Sequence, residues 1–569
     1  MKLGRILPVA CLLLSISSLA LAQSPNKGVI SGRVVTEDGG NLPGLTVRLT
    51  PAGVTRFALT RTTTTDDEGN FRFTDLPPRA YSIRAEGGRA YVSAPQSAAE
   101  RAQPRYLHIG DTVTLTMMRG GVITGRVTNA DNQPVIALPL GVIQVRDNEG
   151  NPIAGQSVSS AVRAFTDDRG IYRFYGLTPG SYVIMANTGN PYFGSQASLY
   201  DNDAPTYYPS STRDTAAEVQ VASGTEITGI DIRFRGERGH AISGKVTGGA
   251  AQANVSLLQF STGALVDTSF VSSAGADAGF DFYGVPDGEY ELVANNDPEA
   301  ADQLQSQPRR VSVRGTDVTG IELRMLPLGS IAGRVVIEAS PTACDQAPKT
   351  RIEEIVLFAR PQEKPKGETQ LIFKPNPSES PVNEKGEFTL NRLQPLRHRL
   401  SVNLPNENLY LKSIAVKAAT PAAGDLARNG VTVKQGEKLT GVTVTLAEGA
   451  AGLRGKVQIE PPDKPLPPGV RIHLLPAEAN AAEDVLRYVE TTARADGTFA
   501  FANLAPGKYL GLVGIFAEDE ADRPPLPPEL AAAKRATLRQ AAGAAKVEVE
   551  LKACQKMTDV ILKIAGAAK

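Results

Sequence analysis

Histidine is the residue type best suited to ligate catalytic zinc or to move protons at neutral pH. The sequence has four, His108, His240, His398 and His473, and none is followed three residues later by the glutamate that a zinc peptidase needs. His108 has Asp111 at that spacing, but both lie in a turn before a strand, and we expect no metal there. His398 stands where other copies of a repeated motif have tyrosine, which indicates a structural role.

Other catalytic motifs are absent from the sequence. There is no Gly-x-Ser-x-Gly nucleophile elbow, no Gly-x-Gly-x-x-Gly turn and no phosphate-binding loop. Only three cysteines are present, and Cys11 lies in an N-terminal export signal, which argues against a thiol enzyme. The sequence therefore predicts a protein that is not an enzyme and that uses no cofactor.

Two acidic turns, at residues 66–70 and 167–170, contain the oxygen ligands that Ca²⁺ requires. Asp and Asn also stabilise hairpin turns by hydrogen-bonding to their own backbone. Corresponding turns elsewhere in the chain replace the acids with Ala278 or Lys385, whereas a Ca²⁺ site usually needs about six ligands. We favour the hairpin-turn interpretation and predict no metal site.

A group of tyrosines in one polar insertion is the main candidate for ligand binding. It consists of Tyr192, Tyr200, Tyr207 and Tyr208, and the sequence has no tryptophan. Planar rings with polar neighbours can bind sugars, so one interpretation is a glycan site. The interpretation that we favour is that Tyr207-Tyr208-Pro209 packs the insertion onto its own domain.

These candidates lie within a framework set by a repeated hairpin motif. In residues 168–182, Asp-x-Gly supplies a tight turn, and Tyr172 and Phe174 alternate with Arg173 as in a half-buried strand. The same motif recurs at residues 69–81, 279–290, 386–398 and 497–509. Five copies of one motif indicate a repeat architecture.

Each copy is preceded by a related opening strand and followed by a closing strand. The opening strands contain Gly-x-Ile-x-Gly-Arg-Val or a variant of it, and their inner glycine suggests a bulge or a close backbone approach. The closing strands alternate between apolar and polar residues, as in Val113-Thr-Leu-Thr-Met117. About seven short strands per copy predict an all-β fold, a tandem array of five antiparallel β-sandwich domains.

The predicted division of the chain is a signal peptide followed by five modules. The signal peptide is residues 1–22, and the modules are 23–119 (module 1), 120–237 (module 2), 238–327 (module 3), 328–449 (module 4) and 450–569 (module 5). Because the junctions are short, we expect a semi-rigid rod. One short helix is predicted in module 5 near residues 528–542, where Ala, Leu, Lys and Arg follow two prolines.

The N-terminus has the pattern of an export signal, with Lys2 and Arg5 before an apolar run and Ala20-Leu21-Ala22 as the cleavage site. The apolar run is too short to span a membrane. We therefore expect a secreted protein of the periplasm, cell surface or extracellular space that does not span a membrane. Basic and acidic residues balance at 60 each, so nothing in the charge indicates a nucleic-acid partner.

Two cysteines remain after the signal, Cys344 in module 4 and Cys554 in module 5. An export compartment permits disulfides. The two thiols are either free and buried or joined in one bridge between neighbouring modules, and the sequence leaves both interpretations open because it does not supply the Cα distance.

Together the motifs resemble the carboxypeptidase regulatory-like (prealbumin-like) domain, a transthyretin-like β-sandwich. The resemblance rests on Gly-x-Ile-x-Gly-Arg-Val, on Asp-x-x-Gly-x-Phe-x-Phe-x-x-Leu-x-Pro-Gly-x-Tyr and on the Thr-Gly-Ile/Val closing strand. Modules 1 to 3 match best, whereas module 4 lacks the Pro-Gly and the tyrosine and module 5 has a degenerate first strand. The resemblance implies a fold similar to carbohydrate-binding-like sandwiches and says little about activity.

From these features we expect an exported, non-catalytic binding or scaffolding protein of the bacterial envelope, with a glycan or another protein as its ligand. The alternative is an accessory or regulatory subunit of a peptidase or another envelope enzyme. The sequence does not fix the oligomeric state.

Overall fold

The repeated motif folds into short strands in the computed structural model of the chain. The structure describes residues 28–564 except 54–58, 89, 96–105, 154–162, 189–198, 250–251, 262–264, 273–278, 298–299, 301, 341–343, 345–349, 363–377, 418–423, 460–465, 467–469, 495 and 516–531. The predicted signal peptide at residues 1–22 lies outside the described residues.

The strands of the first three modules are numbered in chain order. Module 1 has β1 (Gly28–Thr36), β2 (Thr46–Pro51), β3 (Arg61–Thr64), β4 (Asn70–Leu76), β5 (Tyr81–Glu86), β6 (Tyr91–Ser93) and β7 (Thr112–Arg119). Module 2 has β8 (Gly121–Thr128), β9 (Pro139–Arg146), β10 (Arg163–Phe165), β11 (Ile171–Leu177), β12 (Gly180–Ala186), β13 (Thr206–Tyr207), β14 (Val219–Val221), β15 (Glu226–Ile227) and β16 (Ile232–Arg233). Module 3 has β17 (His240–Thr247), β18 (Gln252–Gln259), β19 (Leu265–Ser272), β20 (Gly279–Val285), β21 (Gly288–Asn296), β22 (Leu304–Ser306), β23 (Arg309–Val313) and β24 (Val318–Pro327).

The last two modules also contain the two α-helices of the described residues. Module 4 has β25 (Gly329–Glu338), β26 (Val356–Pro361), β27 (Ser378–Pro381), β28 (Glu387–Leu393), β29 (Arg397–Asn403), β30 (Leu409–Ala415), α1 (Leu426–Asn429), β31 (Val431–Thr432) and β32 (Lys438–Glu448). Module 5 has β33 (Ala451–Ile459), β34 (Val470–Pro476), β35 (Val489–Thr492), β36 (Thr498–Leu504), β37 (Gly507–Ile515), α2 (Ala532–Ala545), β38 (Glu548–Leu551) and β39 (Lys556–Ile564).

One sheet of each module is built around the module's first strand. In module 1, β1 pairs antiparallel with β4, the strand after the hairpin turn, and parallel with β7, the closing strand. The same pairing recurs around β8, β17, β25 and β33. The parallel pair departs from the purely antiparallel sheets that we expected. Alternation of apolar and polar residues shows which face a strand buries and not the direction in which it runs.

The second sheet of each module is centred on the module's second strand. Thus β2 lies between β3 and β5, β9 between β10 and β12, and β26 between β27 and β29. In module 3, β22 pairs with both β21 and β24, so the two sheets are joined into one of eight strands.

Buried apolar side chains from the two sheets form one large cluster per module. In module 1 the cluster includes Ile30, Val47, Phe71 and Met117, one from each of four strands. Corresponding clusters lie within modules 2, 3 and 5, and the cluster of module 4 also includes Val485 from module 5. Sheets that close on a shared apolar layer define a β-sandwich, so the predicted all-β fold class is confirmed.

The inner glycine of each opening strand marks the closest approach between neighbouring strands. A Cβ atom built on Gly32 would lie 2.1 Å from the Val113 carbonyl oxygen of the parallel strand and 2.6 Å from the Phe71 ring. The four equivalent glycines meet a carbonyl oxygen at 2.0 to 2.1 Å; they are Gly125, Gly244, Gly333 and Gly455. The close backbone approach predicted from the sequence is therefore present.

A β-bulge interrupts the hairpin strand of every module just before its final apolar residue. The bulged residues all have positive φ; they are Asp75, Gly176, Gly284, Arg392 and Asn503. In module 5, the Asn503 side chain donates hydrogen bonds to the carbonyls of Asn406 and Leu409 in module 4, at 2.7 and 2.6 Å. The bulge there serves as a contact between neighbouring modules.

Module 1 packs against module 4, so the expectation of a semi-rigid rod is wrong. Ala52 and Tyr106 of module 1 share one buried apolar cluster with Val356 and Phe358 of module 4. A straight rod would separate these modules by the length of two others. Short linkers restrict rotation at each junction, but they do not prevent successive bends from bringing distant modules together.

Helix α2 covers the outer face of the second sheet of module 5. Ala542 of the helix lies in a buried cluster with Leu475 of β34 and with Tyr488. The helix predicted in this module is confirmed: α2 extends to Ala545, and residues 528–531 of the predicted range lie outside the described residues. Among the described residues, the structure contains no helix long and apolar enough to cross a membrane.

Candidate functional site

The four histidines lie in different modules, and each has its own local partner. The Nδ1 atom of His108 is 3.8 Å from the Asp111 carboxylate. His240 lies between Asp287, at 3.3 Å, and Asp317, at 3.9 Å. Within the part of the chain that the structure describes, three or more His, Cys, Asp or Glu side chains never come together in a group that could hold a metal ion.

His398 makes the hydrogen bond that tyrosine makes in the other modules. The hydroxyls of Tyr81, Tyr182, Tyr290 and Tyr509 each donate to the carbonyl four residues back, at 2.7 to 2.8 Å. In module 4, Nε2 of His398 is 2.9 Å from the Gln394 carbonyl, also four residues back. We call this repeated bond the corner bond. Burial lowers the pKa of His398, so the imidazole is neutral and Nε2 carries the donated proton.

The acidic turns direct their side-chain oxygens at their own backbone. Oδ1 of Asp66 accepts hydrogen bonds from the backbone N–H groups of residues 68 and 70, at 3.1 and 2.7 Å. Oδ1 of Asp167 accepts from residues 169 and 171, at 3.0 and 2.7 Å, and these bonds, with Ile171 first, lower the pKa of Asp167. Asn383 makes the same pair of bonds in module 4 without a charge. This arrangement fits the hairpin-turn interpretation, since an amide serves as well as a carboxylate.

Three of the four candidate tyrosines lie in described parts of the module 2 insertion, and Tyr192 lies outside them. Tyr200 and Tyr208 pack against the buried cluster of module 2. The Tyr200 ring meets Phe234 edge-on at 5.8 Å, and its hydroxyl donates to the Ile136 carbonyl at 3.0 Å. Tyr207 is half-buried, and the Arg213 guanidinium lies 5.9 Å from its ring centre. Tyr200 and Tyr208 therefore pack the insertion against the core of module 2. Tyr207 lies beside the Arg213 guanidinium instead.

The two mature cysteines come together at the junction of modules 4 and 5. Cys344 and Cys554 form a disulfide with a Cα–Cα distance of 5.3 Å and a sequence separation of 210 residues. The N–H of Cys554 also donates to the carbonyl of Gly449, at the module boundary, at 3.0 Å. The bridge therefore ties the two modules at the point where the chain passes between them.

Module 5 contains a buried charged network that sequence reasoning missed. Arg471 and His473 on β34 both contact Glu490 on β35, at 2.7 and 3.3 Å, and all three side chains are less than 10% exposed. They alternate with the core residues Ile472 and Leu474, so they point to the outer face of the sheet. The helix predicted in module 5 was the signal that could have found this network. A helix that covers the outer face of a sheet buries the polar side chains on that face.

A buried carboxyl in module 3 was also missed. Glu291 on β21 is 1% exposed, and neither of its oxygens has a hydrogen-bond partner among the described residues. Burial raises the pKa of Glu291 to about 7, and Arg310 on the facing strand lowers it in part. The side chain alternates with the core residues Tyr290 and Leu292 and lies on the outer face of its sheet.

These features define a β-sandwich repeat protein whose recurring polar residues stabilise turns and corners. Residues 29–117 match the family model of the carboxypeptidase regulatory-like domain. The match covers nearly all of module 1 and confirms there the family resemblance expected from the motifs. The search of curated proteins found no match.

Several solved structures are similar to parts of the chain. The Bacillus anthracis TIE protein is 14% identical, with a TM-score of 0.14, over 52% of this chain and 50% of that one, so the match spans about half its length. The minor pilin of Streptococcus agalactiae is 13% identical, with a TM-score of 0.19, over 37% of this chain and 96% of the pilin. The shaft pilin SpaA from Lactobacillus rhamnosus GG is 11% identical, with a TM-score of 0.17, over 37% and 98%. We draw no functional conclusion from similarities of this size.

Proposed function

We propose that the chain is an exported, non-catalytic binding or scaffolding protein of the bacterial envelope. It would consist of five modules at residues 23–119, 120–237, 238–327, 328–449 and 450–569. The observation that supports this most directly is the corner bond, which uses the most regularly repeated polar side chain of the motif for folding. The turn residues Asp66 and Asp167 are used in the same way. The residues that recur from module to module therefore maintain the fold of each module, and an array of binding domains requires such a common fold.

Export is supported by two independent features. The N-terminal pattern of charge, apolar run and small residues is that of a secretory signal. The disulfide between Cys344 and Cys554 fits an oxidising compartment outside the cytoplasm. Fractionation of the native host tests the location: the chain should appear in the envelope or medium without residues 1–22, and recovery of a full-length cytoplasmic chain would contradict export.

The proposed ligand is a glycan or an envelope protein. For a glycan, the candidate position is the tyrosine group of module 2, where Tyr207 lies beside Arg213. Tyr207→Ala should reduce retention on an array of envelope glycans at least tenfold, because the ring would supply the stacking surface. Tyr283→Ala is the matched control, since Tyr283 is 57% exposed on a strand of module 3. Unchanged retention by the Tyr207 variant would exclude a glycan site there.

A pull-down from envelope extract with the full chain distinguishes the classes of partner. A binding or scaffolding protein should retain polysaccharide or envelope proteins. Turnover of a peptide or ester library by the purified chain would overturn the non-catalytic assignment.

The second candidate function is an accessory or regulatory subunit of a peptidase or another envelope enzyme. It is favoured by the match of residues 29–117 to a domain family described as carboxypeptidase regulatory-like. If this alternative holds, a hydrolase should co-purify with the chain. The activity of that hydrolase should change when the chain is removed.

A further inference from the structure

The outer face of strand β26 in module 4 is apolar and is covered by module 1. Leu357 and Ala359 of β26 point into the core of module 4, whereas Val356 and Phe358 point to the other side. Val356 is 0% exposed and Phe358 is 4% exposed. A strand buried on both faces reads as a continuous apolar run, here Ile-Val-Leu-Phe-Ala, and such a run requires a cover outside its own sandwich.

The cover consists of three side chains from module 1. Ala52, Ala80 and Tyr106 complete the cluster with Val356 and Phe358. The rings of Tyr106 and Phe358 are stacked, with their centres 6.1 Å apart and an angle of 29° between their planes. This cluster shares no residue with the core clusters of modules 1 and 4, so the contact can be lost while both cores stay packed.

Carboxylates of module 4 fix the position of the cover. Glu379 accepts a hydrogen bond from the Gly53 N–H at 2.8 Å and a second from the Tyr106 hydroxyl at 2.5 Å. The buried carboxyl of Glu354 faces His108 and the backbone of Ile109. Hydrogen bonds are directional, so these bonds select one orientation of module 1 on module 4.

The backbone of module 1 passes so close to module 4 that a side chain would not fit. Gly53 has φ of +71°, and a Cβ atom built on it would lie 2.4 Å from Cδ of Pro381. Gly53, in the turn after β2, therefore donates its N–H to Glu379 and also lies in close contact with Pro381. Shape, apolar burial and hydrogen bonding all match at this contact.

We propose that β26 and β27 of module 4 form a docking surface for module 1 of the same chain, and that module 1 is a releasable cover for it. In the closed state the first four modules form a loop, and the apolar face of β26 is hidden. Release would expose Val356 and Phe358 to another protein surface while leaving every module folded. This inference does not depend on the ligand proposed above.

Small-angle X-ray scattering of the full chain tests the proposal. Phe358→Asp places a charge in the covered face and should increase the maximum dimension by about 35 Å, the diameter of one module. Phe270→Asp is the matched control, because Phe270 is on a strand of module 3 and is already 39% exposed; it should leave the maximum dimension unchanged. An extended wild-type chain, equal in size to the Phe358 variant, would overturn the proposal.

A second pair of variants covers the case in which Phe358→Asp unfolds module 4. Glu379→Ala removes both hydrogen bonds from module 1, whereas Glu384→Ala changes an exposed glutamate in the adjacent turn. Hydrogen exchange should rise at least tenfold in peptides around Gly53 for Glu379→Ala only. Strands β2, β26 and β28 should be unchanged, because they stay hydrogen-bonded within their own sheets. Equal exchange in the two variants, or loss of protection throughout both modules, would contradict a releasable cover. A dimeric mass in light scattering of the wild type that becomes monomeric in Glu379→Ala would show that the cover comes from a second copy and would also overturn the proposal.

Discussion

The corner bond shows how one contact is kept with two kinds of side chain. A phenol hydroxyl reaches the carbonyl four residues back in four modules, and the imidazole of His398 reaches the same place in module 4. The two donors differ in one physical property, because imidazole takes up a second proton in the range of mild acid and a phenol does not. The histidine therefore adds a pH dependence that the tyrosines lack.

His398→Tyr should make module 4 less sensitive to acid. Burial lowers the pKa of His398, so the unfolded chain binds a proton before the folded chain does as the pH falls. Stability from this group is present above the ordinary value of about 6.5 and is lost below it. Thermal unfolding of the wild type and the variant at about pH 7.5 and about pH 5 measures the difference. A variant that loses as much stability as the wild type would show that His398 takes up protons equally in the folded and unfolded states.

Glu291→Gln should alter stability in the opposite pH range. The folded pKa of Glu291 is raised to about 7, so its contribution is present in full below about pH 4.5 and is lost as the pH rises through about 7. Relative to wild type, the variant should gain up to about 3 kcal/mol between about pH 5 and about pH 8. Denaturant unfolding followed by hydrogen exchange in β21 measures this. Glu322→Gln, an exposed glutamate on β24, is the control, and parallel pH profiles for wild type and Glu291→Gln would refute the assignment.

Strands were predictable from the sequence where only one face of the strand is buried, because apolar and polar residues then alternate. Val47 and Leu49 alternate with polar residues, and β2 (Thr46–Pro51) follows them closely. Strand β34 behaves differently, because Arg471 and His473 alternate with core residues and are nevertheless buried under a second layer. Sequence alternation describes the first layer around a strand and carries no information about a helix that arrives from about 60 residues away in the chain.

Gly455→Ala should destabilise module 5 by roughly 2–4 kcal/mol. The added Cβ would lie 2.1 Å from the Val560 carbonyl oxygen and 2.7 Å from the Phe499 ring, so strands β33 and β39 must separate. Gly543→Ala in α2 is the matched control, because nothing lies within 4 Å of its Cβ position. That change should stabilise the helix by up to about 1 kcal/mol, since alanine favours the helix over glycine. Thermal unfolding compares the two, and tolerance of Gly455→Ala would mean that the strands are not held at this spacing.

At the scale of the whole molecule, contacts between modules were the least predictable part. The motifs predicted five repeats, and the presence of one helix in the last module followed from composition. Nothing in the residues of module 1 indicates that Tyr106 meets Glu379, which is 273 positions away. Such contacts depend on the sum of several bends between modules, and each bend is set by side chains that carry no periodic signal. The apolar run in β26 was a local indication that its outer face needed cover.

The chain isolated without reductant should contain the Cys344–Cys554 bridge. Trypsin would release it as residues 335–349 linked to residues 553–556, and reduction would separate them. Alkylation before reduction should modify neither cysteine. Detection of both cysteines as alkylated peptides in the unreduced sample would show that modules 4 and 5 are held by packing and hydrogen bonds alone.

The parallel pairing of first and last strands has a mechanical consequence. The chain enters a module at the start of one strand and leaves it at the far end of the adjacent strand, as with β1 and β7. A pulling force applied to the start of the first strand and the end of the last strand acts on the two strands in opposite directions. It loads all the hydrogen bonds between them at the same time. Shear of this kind resists rupture better than peeling, in which bonds break one at a time. Each module is thus arranged to bear tension between its neighbours.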